Sequence, residues 1–126
     1  MIIETARERI CLSGALRVNQ WPAIRTVVYF LLATHPDGVV IDCAALRNVS
    51  PAGERTFVDA VDEIEEVALP VMIAHLPGAL ESELTRATGG RLRQHITASF
   101  EAIRIQQAIT SPEWWDRLWG VTDSGN

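Results

Sequence analysis

The chain has no lysine at all, and eleven arginines carry its entire basic side. Schiff-base chemistry and the phosphate-gripping lysine of a P-loop are therefore excluded. Cysteine is scarce as well: Cys11 and Cys43 are the only two, too few for a disulfide scaffold and not spaced as Cys-x-x-Cys. The three histidines, His35, His75 and His95, lie far apart with no HxxxH or HExxH spacing, so no metal site is expected. Long apolar stretches are also missing. The longest run, residues 27–33, has seven residues, whereas crossing a bilayer takes about 20. The first ten residues lack the basic start and apolar core of a secretory signal, which makes the cytoplasm the expected location. None of the GxGxxG, GxxxxGKS/T or GxSxG patterns occurs, so a nucleotide-dependent or hydrolytic enzyme is disfavoured and no cofactor is implied.

What is present reads as one ordinary globular domain. Apolar residues make up 48% of 126 and charged ones 21%, enough to build a core without metal or disulfides. The net charge of −5 has the wrong sign for a general nucleic-acid or anionic-membrane binder. No repeat, low-complexity tract or linker divides the chain, and only residues 123–126 look like a tail.

Periodicity supplies the elements. Ile2, Ile3, Ile10 and Leu12 flank the charged Arg7-Glu8-Arg9 and predict two short strands joined by a tight turn. Asn19 is a candidate cap for a helix over residues 20–34, with Pro22 in its first turn. Trp21, Ile24, Val28 and Leu31 mark its apolar face. After the Pro36-Asp37-Gly38 turn, residues 39–43 read as a buried central strand ending near Asp42, a residue with no evident partner base. A helix over residues 52–67, stopped by Pro70, precedes a second buried strand at 71–75. A helix over 79–88, stopped by Gly89-Gly90, precedes a third short strand at 92–96. Ser99 looks like the cap of a further helix. Alternating strands and helices imply βαβ units, and the opening hairpin makes the sheet mixed. The expected class is α/β.

Ser50-Pro51 is the most informative dipeptide, fitting a helix N-cap followed by proline at the first helical position. The N–H groups of Ala52, Gly53 and Glu54 are then expected at the positive end of the helix dipole, where an anion is stabilised. A helix that is merely well capped explains the same residues. Residues 54–66 hold six acids against the single base Arg55, which predicts either a solvated face or an acidic docking surface. The two cysteines fall on neighbouring inner strands, where a packing role is expected.

These residues, in this order, resemble a family. Val39-Val40-Ile41-Asp42-Cys43-Ala44-Ala45-Leu46 followed by Ser50-Pro51-Ala52-Gly53 is similar to the "strand, Asp-Leu-Ser, then Asp-Ser-Ser-Gly" segment of STAS domains. These are the bacterial anti-sigma factor antagonists and their relatives. Leu76-Pro77, Thr88-Gly89-Gly90 and Ser99-Phe100-Glu101-Ala102-Ile103 match further short segments, so the resemblance spans about residues 2–109. It implies a mixed four- to five-stranded sheet flanked by about four helices. The function it implies is protein–protein binding, with an anti-sigma factor that is also a serine kinase, or another STAS protein, as partner. In the family the second serine of Asp-Ser-Ser-Gly is phosphorylated, which blocks docking. Aligned on Gly53, that acceptor falls on Ala52, which has no hydroxyl, so the usual switch looks absent. Ser50 is a displaced alternative acceptor, although its hydroxyl is expected to be engaged in capping. The partner surface carried over comprises Asn48, Ser50, Ala52, Gly53, Glu54 and Phe57.

Residues 1–110 thus form the STAS-like domain, and 111–126 a C-terminal extension. Ser111-Pro112 starts a Trp-rich helix carrying Trp114, Trp115, Leu118 and Trp119. It can pack back on the domain, form a homodimer contact or serve as a docking patch. Three functions stay open: a constitutive module of sigma-factor or stress control, an accessory subunit of a transporter or lipid-trafficking complex, and a nucleotide or small-anion sensor.

Overall fold

The computed structural model describes residues 1–98. Strand β1 (Ile2–Ala6) and β2 (Arg9–Leu16) form the expected hairpin, turning at Arg7 with a φ of 57°. Then follow α1 (Trp21–Leu32), β3 (Val39–Val49), α2 (Pro51–Val67), β4 (Val71–Ala74), α3 (Gly78–Ala87), a 3-10 turn (Arg91–His95) and β5 (Ile96–Thr97). The strands lie in chain order, β1-β2-β3-β4-β5, with only the hairpin antiparallel. The mixed five-stranded α/β sheet expected from the sequence is therefore present. Each parallel step moves one strand in the same direction, and crossovers of one hand put their helices on one side. The core bears this out: Ile10, Leu12, Leu16, Val39, Ile41, Cys43 and Ile73 pack with Ile24, Val28, Phe57, Val61, Ile64 and Leu84 in one cluster.

Four boundaries differ from the sequence reading, each for a local reason. Gln20 occupies the cap position of α1, while Asn19 still accepts the Trp21 N–H on its Oδ1 at 2.9 Å. Strand β3 continues past Cys43 to Val49, because β2 keeps pairing with it as far as Leu16–Val49 through two register shifts. Asp42 is consequently a mid-strand residue. Helix α2 ends at Val67, where Ala68 turns left-handed (φ 54°) and returns its N–H to the Ile64 carbonyl, two residues before Pro70 can act. The strand expected at 92–96 is mostly the 3-10 turn. Thr88 winds it: its hydroxyl donates to the Leu84 carbonyl at 2.8 Å and accepts the Leu92 N–H at 3.2 Å, sinking Leu92 into the core. Among the described residues there are three α-helices. The helix expected from Ser99 and the extension at 111–126, with Trp114, Trp115 and Trp119, lie outside them. Among the described residues, no helix is long and apolar enough to cross a membrane.

Candidate functional site

The start of α2 is fixed from three directions. Ser50 sits in extended backbone (φ −77°, ψ 165°) and its Oγ accepts the Gly53 N–H at 3.0 Å. The same hydroxyl donates to the Arg17 carbonyl at 3.0 Å, and the Ser50 N–H donates to the Leu16 carbonyl at 3.0 Å. The cap thus ties β2's exit to the helix it precedes. Gly53 is buried against that exit: a Cβ there would overlap the Leu16 carbonyl oxygen and lie 2.8 Å from its carbon. One turn later, buried Thr56 accepts the Gln20 N–H on Oγ1 at 2.9 Å, and Asn19 donates to Asp59 at 2.7 Å. The exposed loop Arg17-Val18-Asn19 therefore becomes part of the surface around the helix tip. Sequence reasoning missed this loop, since only the fold brings it to α2.

The carried-over site residues separate into two groups. Asn48 and Ala52 are exposed, Ser50 and Glu54 are half-buried, and of the four Glu54 lines a groove beside the helix tip. Gly53 and Phe57 are buried, Phe57 to 1% exposure, so they build the surface from beneath and offer a partner no side chain. That placement corrects their assignment as contact residues. The expected row of outward N–H groups is also reduced. Gly53 N–H is taken by the Ser50 hydroxyl and Glu54 N–H by the Ser50 carbonyl at 2.9 Å, which removes most of an anion cradle.

Beside the tip runs a groove of about 230 Å3 between the end of β3, the first turn of α2 and the start of α3. Leu46, Val49, Pro77 and Leu80 give it apolar walls, and Arg47, Glu54 and Glu83 edge it with charge. The acids of α2 explain why Glu54 stands out. Asp59 pairs with Arg55 at 3.1 Å, and Arg91 bridges Asp62 at 2.9 Å and Glu65 at 2.8 Å. Glu63 accepts from Trp21 Nε1 at 3.1 Å, Arg25 Nε at 2.6 Å and the Tyr29 hydroxyl at 2.8 Å. Burial pushes the Glu63 carboxyl up, but these three donors outweigh it and hold the group below the usual glutamate range. Four of the six acids thus bind the helix to its neighbours. Glu54 and Glu66 have no side-chain partner among the described residues.

Two of the three histidines lie beside carboxylates, and His35 Nδ1 lies 3.1 Å from the Thr34 hydroxyl. His75, left-handed at φ 60°, places Nδ1 3.1 Å from Asp42, which Arg9 also approaches at 3.8 Å, and His95 lies 3.4 Å from Glu65. Asp42 therefore has the partner that the sequence did not reveal. Among the described residues, no group of three His, Cys, Asp or Glu could hold a metal ion. Cys43 is buried, and burial together with the Asp42 charge pushes its thiol up, away from thiolate chemistry.

No family model matches the sequence, and no curated protein does. The fold, by contrast, matches solved structures. The unphosphorylated form of SpoIIAA, an anti-sigma factor antagonist, aligns over 87% of this chain and 98% of its own at 15% identity and a TM-score of 0.55. A chain from the stressosome, a signal integration and transduction hub, aligns over 87% of this chain and all of its own (100%) at 16% identity and 0.58. SLC26A9 aligns over 89% of this chain but 21% of its own, at 14% identity and 0.56. The chain therefore has the STAS-domain fold.

Proposed function

We propose that this protein is a STAS-type docking module that acts by protein–protein binding in bacterial signalling, without the phosphorylation switch of anti-sigma factor antagonists. The observation that supports this most is the helix tip itself. Where the family pattern sets its phosphoacceptor, this chain has exposed Ala52. The nearby hydroxyl of Ser50 has both its donor and one acceptor site committed, to Arg17 and Gly53. The docking surface is the groove beside that tip. Its apolar walls take an aliphatic side chain of the partner, and Glu54 and Glu83 favour a basic flank around it. The same acids, with the engaged N–H groups, weigh against an anion sensor. The partner on this reading is an anti-sigma factor of the serine-kinase kind, in transcriptional control under stress. A transporter accessory subunit is the second reading, favoured by the match to one-fifth of SLC26A9.

Incubation with the cognate kinase and ATP, followed by intact-mass measurement, tests the missing switch. The native chain stays unmodified, whereas Ala52→Ser gains a phosphate at an exposed hydroxyl. Stoichiometric phosphate on Ser50 of the native chain would overturn the reading. Glu54→Arg combined with Glu83→Arg is expected to weaken partner binding at least ten-fold, and unchanged affinity rejects the groove as the docking site.

A further inference from the structure

Strand β1 pairs with β2 through five consecutive residue pairs, from Ile2–Ser13 to Ala6–Arg9, with no register shift. Among the described residues no strand lies on its other side. The free N–H and C=O groups of such an edge template pairing with another chain, and lysine, proline or a bulge normally blunts them. β1 has none of these, and Glu4 is its one charged residue. Alternation turns Ile3 and Thr5, opposite Leu12 and Ile10, toward the helix side of the sheet.

Helix α1 stands over the same edge. Its one charged residue, Arg25, reaches with Tyr29 across to Glu63 of α2. At 3.6 residues per turn, the flank turned away from α2 is then Ala23, Val27 and Phe30. Because α1 connects β2 to β3 and α2 connects β3 to β4, that flank lies on the β1 side. Phe30 is 75% exposed, the most open large apolar side chain among the described residues. Ala23 is exposed as well, and Val27 packs half-buried against the core that Ile3 also touches. One side of the domain thus joins a free backbone edge to an uncharged apolar flank, in a chain of net charge −5.

Copies of an acidic chain repel one another over most of their surface, but this side can meet its own image without opposing charges on the helices. A two-fold axis through the edge sets strand antiparallel to strand and helix beside helix, so both halves of the surface are covered together. A foreign extended peptide covers the strand and leaves Phe30 in water. With Phe30 the largest contributor, each copy loses roughly 500 Å2, which reaches the low end for a specific interface, about 1,000 Å2 in total.

We propose that two copies of this chain associate through β1 and the Ala23–Val27–Phe30 flank of α1, their sheets running on as one. The groove between β3, α2 and α3 lies away from this edge, so the pair offers two docking sites at once.

Sedimentation velocity on the full chain, at about 1 μM and about 100 μM, brackets the affinity that such an area supports. The mass of two chains is expected at the higher concentration, and a single chain at both overturns the proposal. Phe30→Glu sets a carboxylate near its own image, and Thr5→Lys restores the missing guard. Both positions are exposed, so the thermal melt of each variant is expected to match that of the native monomer. Each raises the dimer Kd by roughly ten-fold or more. A dimer that either variant leaves intact assigns the contact to another surface and overturns the proposal. Hydrogen exchange then reads the strand: β1 amides gain protection at the higher concentration, and protection confined to α1 rejects the joined sheet. No partner of the groove takes part in these measurements, so their failure is distinct from failure of the docking function.

Discussion

Gly53 lies so close beneath the carbonyl of Leu16 that no side chain fits between them. Helix propensity alone favours alanine over glycine in this first turn by about 1 kcal/mol. The contact predicts the opposite sign. The Leu16 carbonyl is held by the Ser50 N–H at 3.0 Å and cannot swing aside without breaking the cap. Gly53→Ala is expected to destabilise the protein by about 1–3 kcal/mol, the usual cost of overpacking. Urea denaturation measures it, and a more stable variant rejects the close approach.

Ser50 stabilises the fold through two bonds that any hydroxyl-free residue loses. Ser50→Ala leaves the Gly53 N–H and the Arg17 carbonyl without their partner. The expected loss is about 1–2 kcal/mol, at the upper end for a helix cap. Ser50→Asp keeps the acceptor for Gly53 and adds a favourable charge at the helix N-terminus, so it should fall between the two. A ranking with alanine above aspartate contradicts the capping role.

Much of this architecture was legible from spacing alone. The α2 stripe of Phe57, Val61 and Ile64, the Ser50-Pro51 start and the β-branched run of β3 each carry a local signal that tertiary structure merely uses. What was not legible depends on pairs distant in sequence. Nothing in Asp42 announces His75, 33 residues away, and nothing in the acids of α2 announces that Arg25 and Arg91 will claim them. The strand expected at 92–96 failed because Thr88 acts through its hydroxyl on a turn that hydrophobic periodicity does not encode. For the site, Asn48 and Ala52 are exposed and Ser50 and Glu54 half-buried, whereas Gly53 and Phe57 lie beneath the surface. The loop at Arg17 and Val18 and the α3 wall of the groove became visible only once the strands were in order.

Glu63 joins α1 to α2 through Trp21, Arg25 and Tyr29, and its carboxyl is held below the usual glutamate range. A carboxylate depressed in the folded state stabilises it above the unfolded value of about 4.3, and that contribution is lost as pH falls through the folded value. Glu63→Gln is therefore expected to cost about 1–3 kcal/mol at neutral pH, the range for hydrogen bonds to a charged group. The gap between native and variant narrows on going from about pH 7 to pH 3. Urea titrations at both values check it; a gap that is independent of pH removes Glu63 from the acid response.

Ala68 ends α2 in a conformation that alanine adopts at a cost. Its φ is 54°, it is exposed, and its N–H returns to the Ile64 carbonyl. A left-handed alanine is strained by roughly 1–2 kcal/mol, which glycine avoids. The greater freedom of glycine in the unfolded chain takes back about 0.5–1 kcal/mol. Ala68→Gly is thus expected to stabilise the protein by about 0.5–1 kcal/mol, a rise in Tm of roughly 2–6 °C for a chain of this size. Val67 supplies the control. It is 51% exposed and still helical, so Val67→Gly forfeits helix propensity, by about 0.5 kcal/mol, with no strain to relieve. Opposite shifts at these adjacent positions, read by thermal melts, establish that the left-handed turn rather than Pro70 stops the helix. Shifts of the same sign assign the stop to the proline.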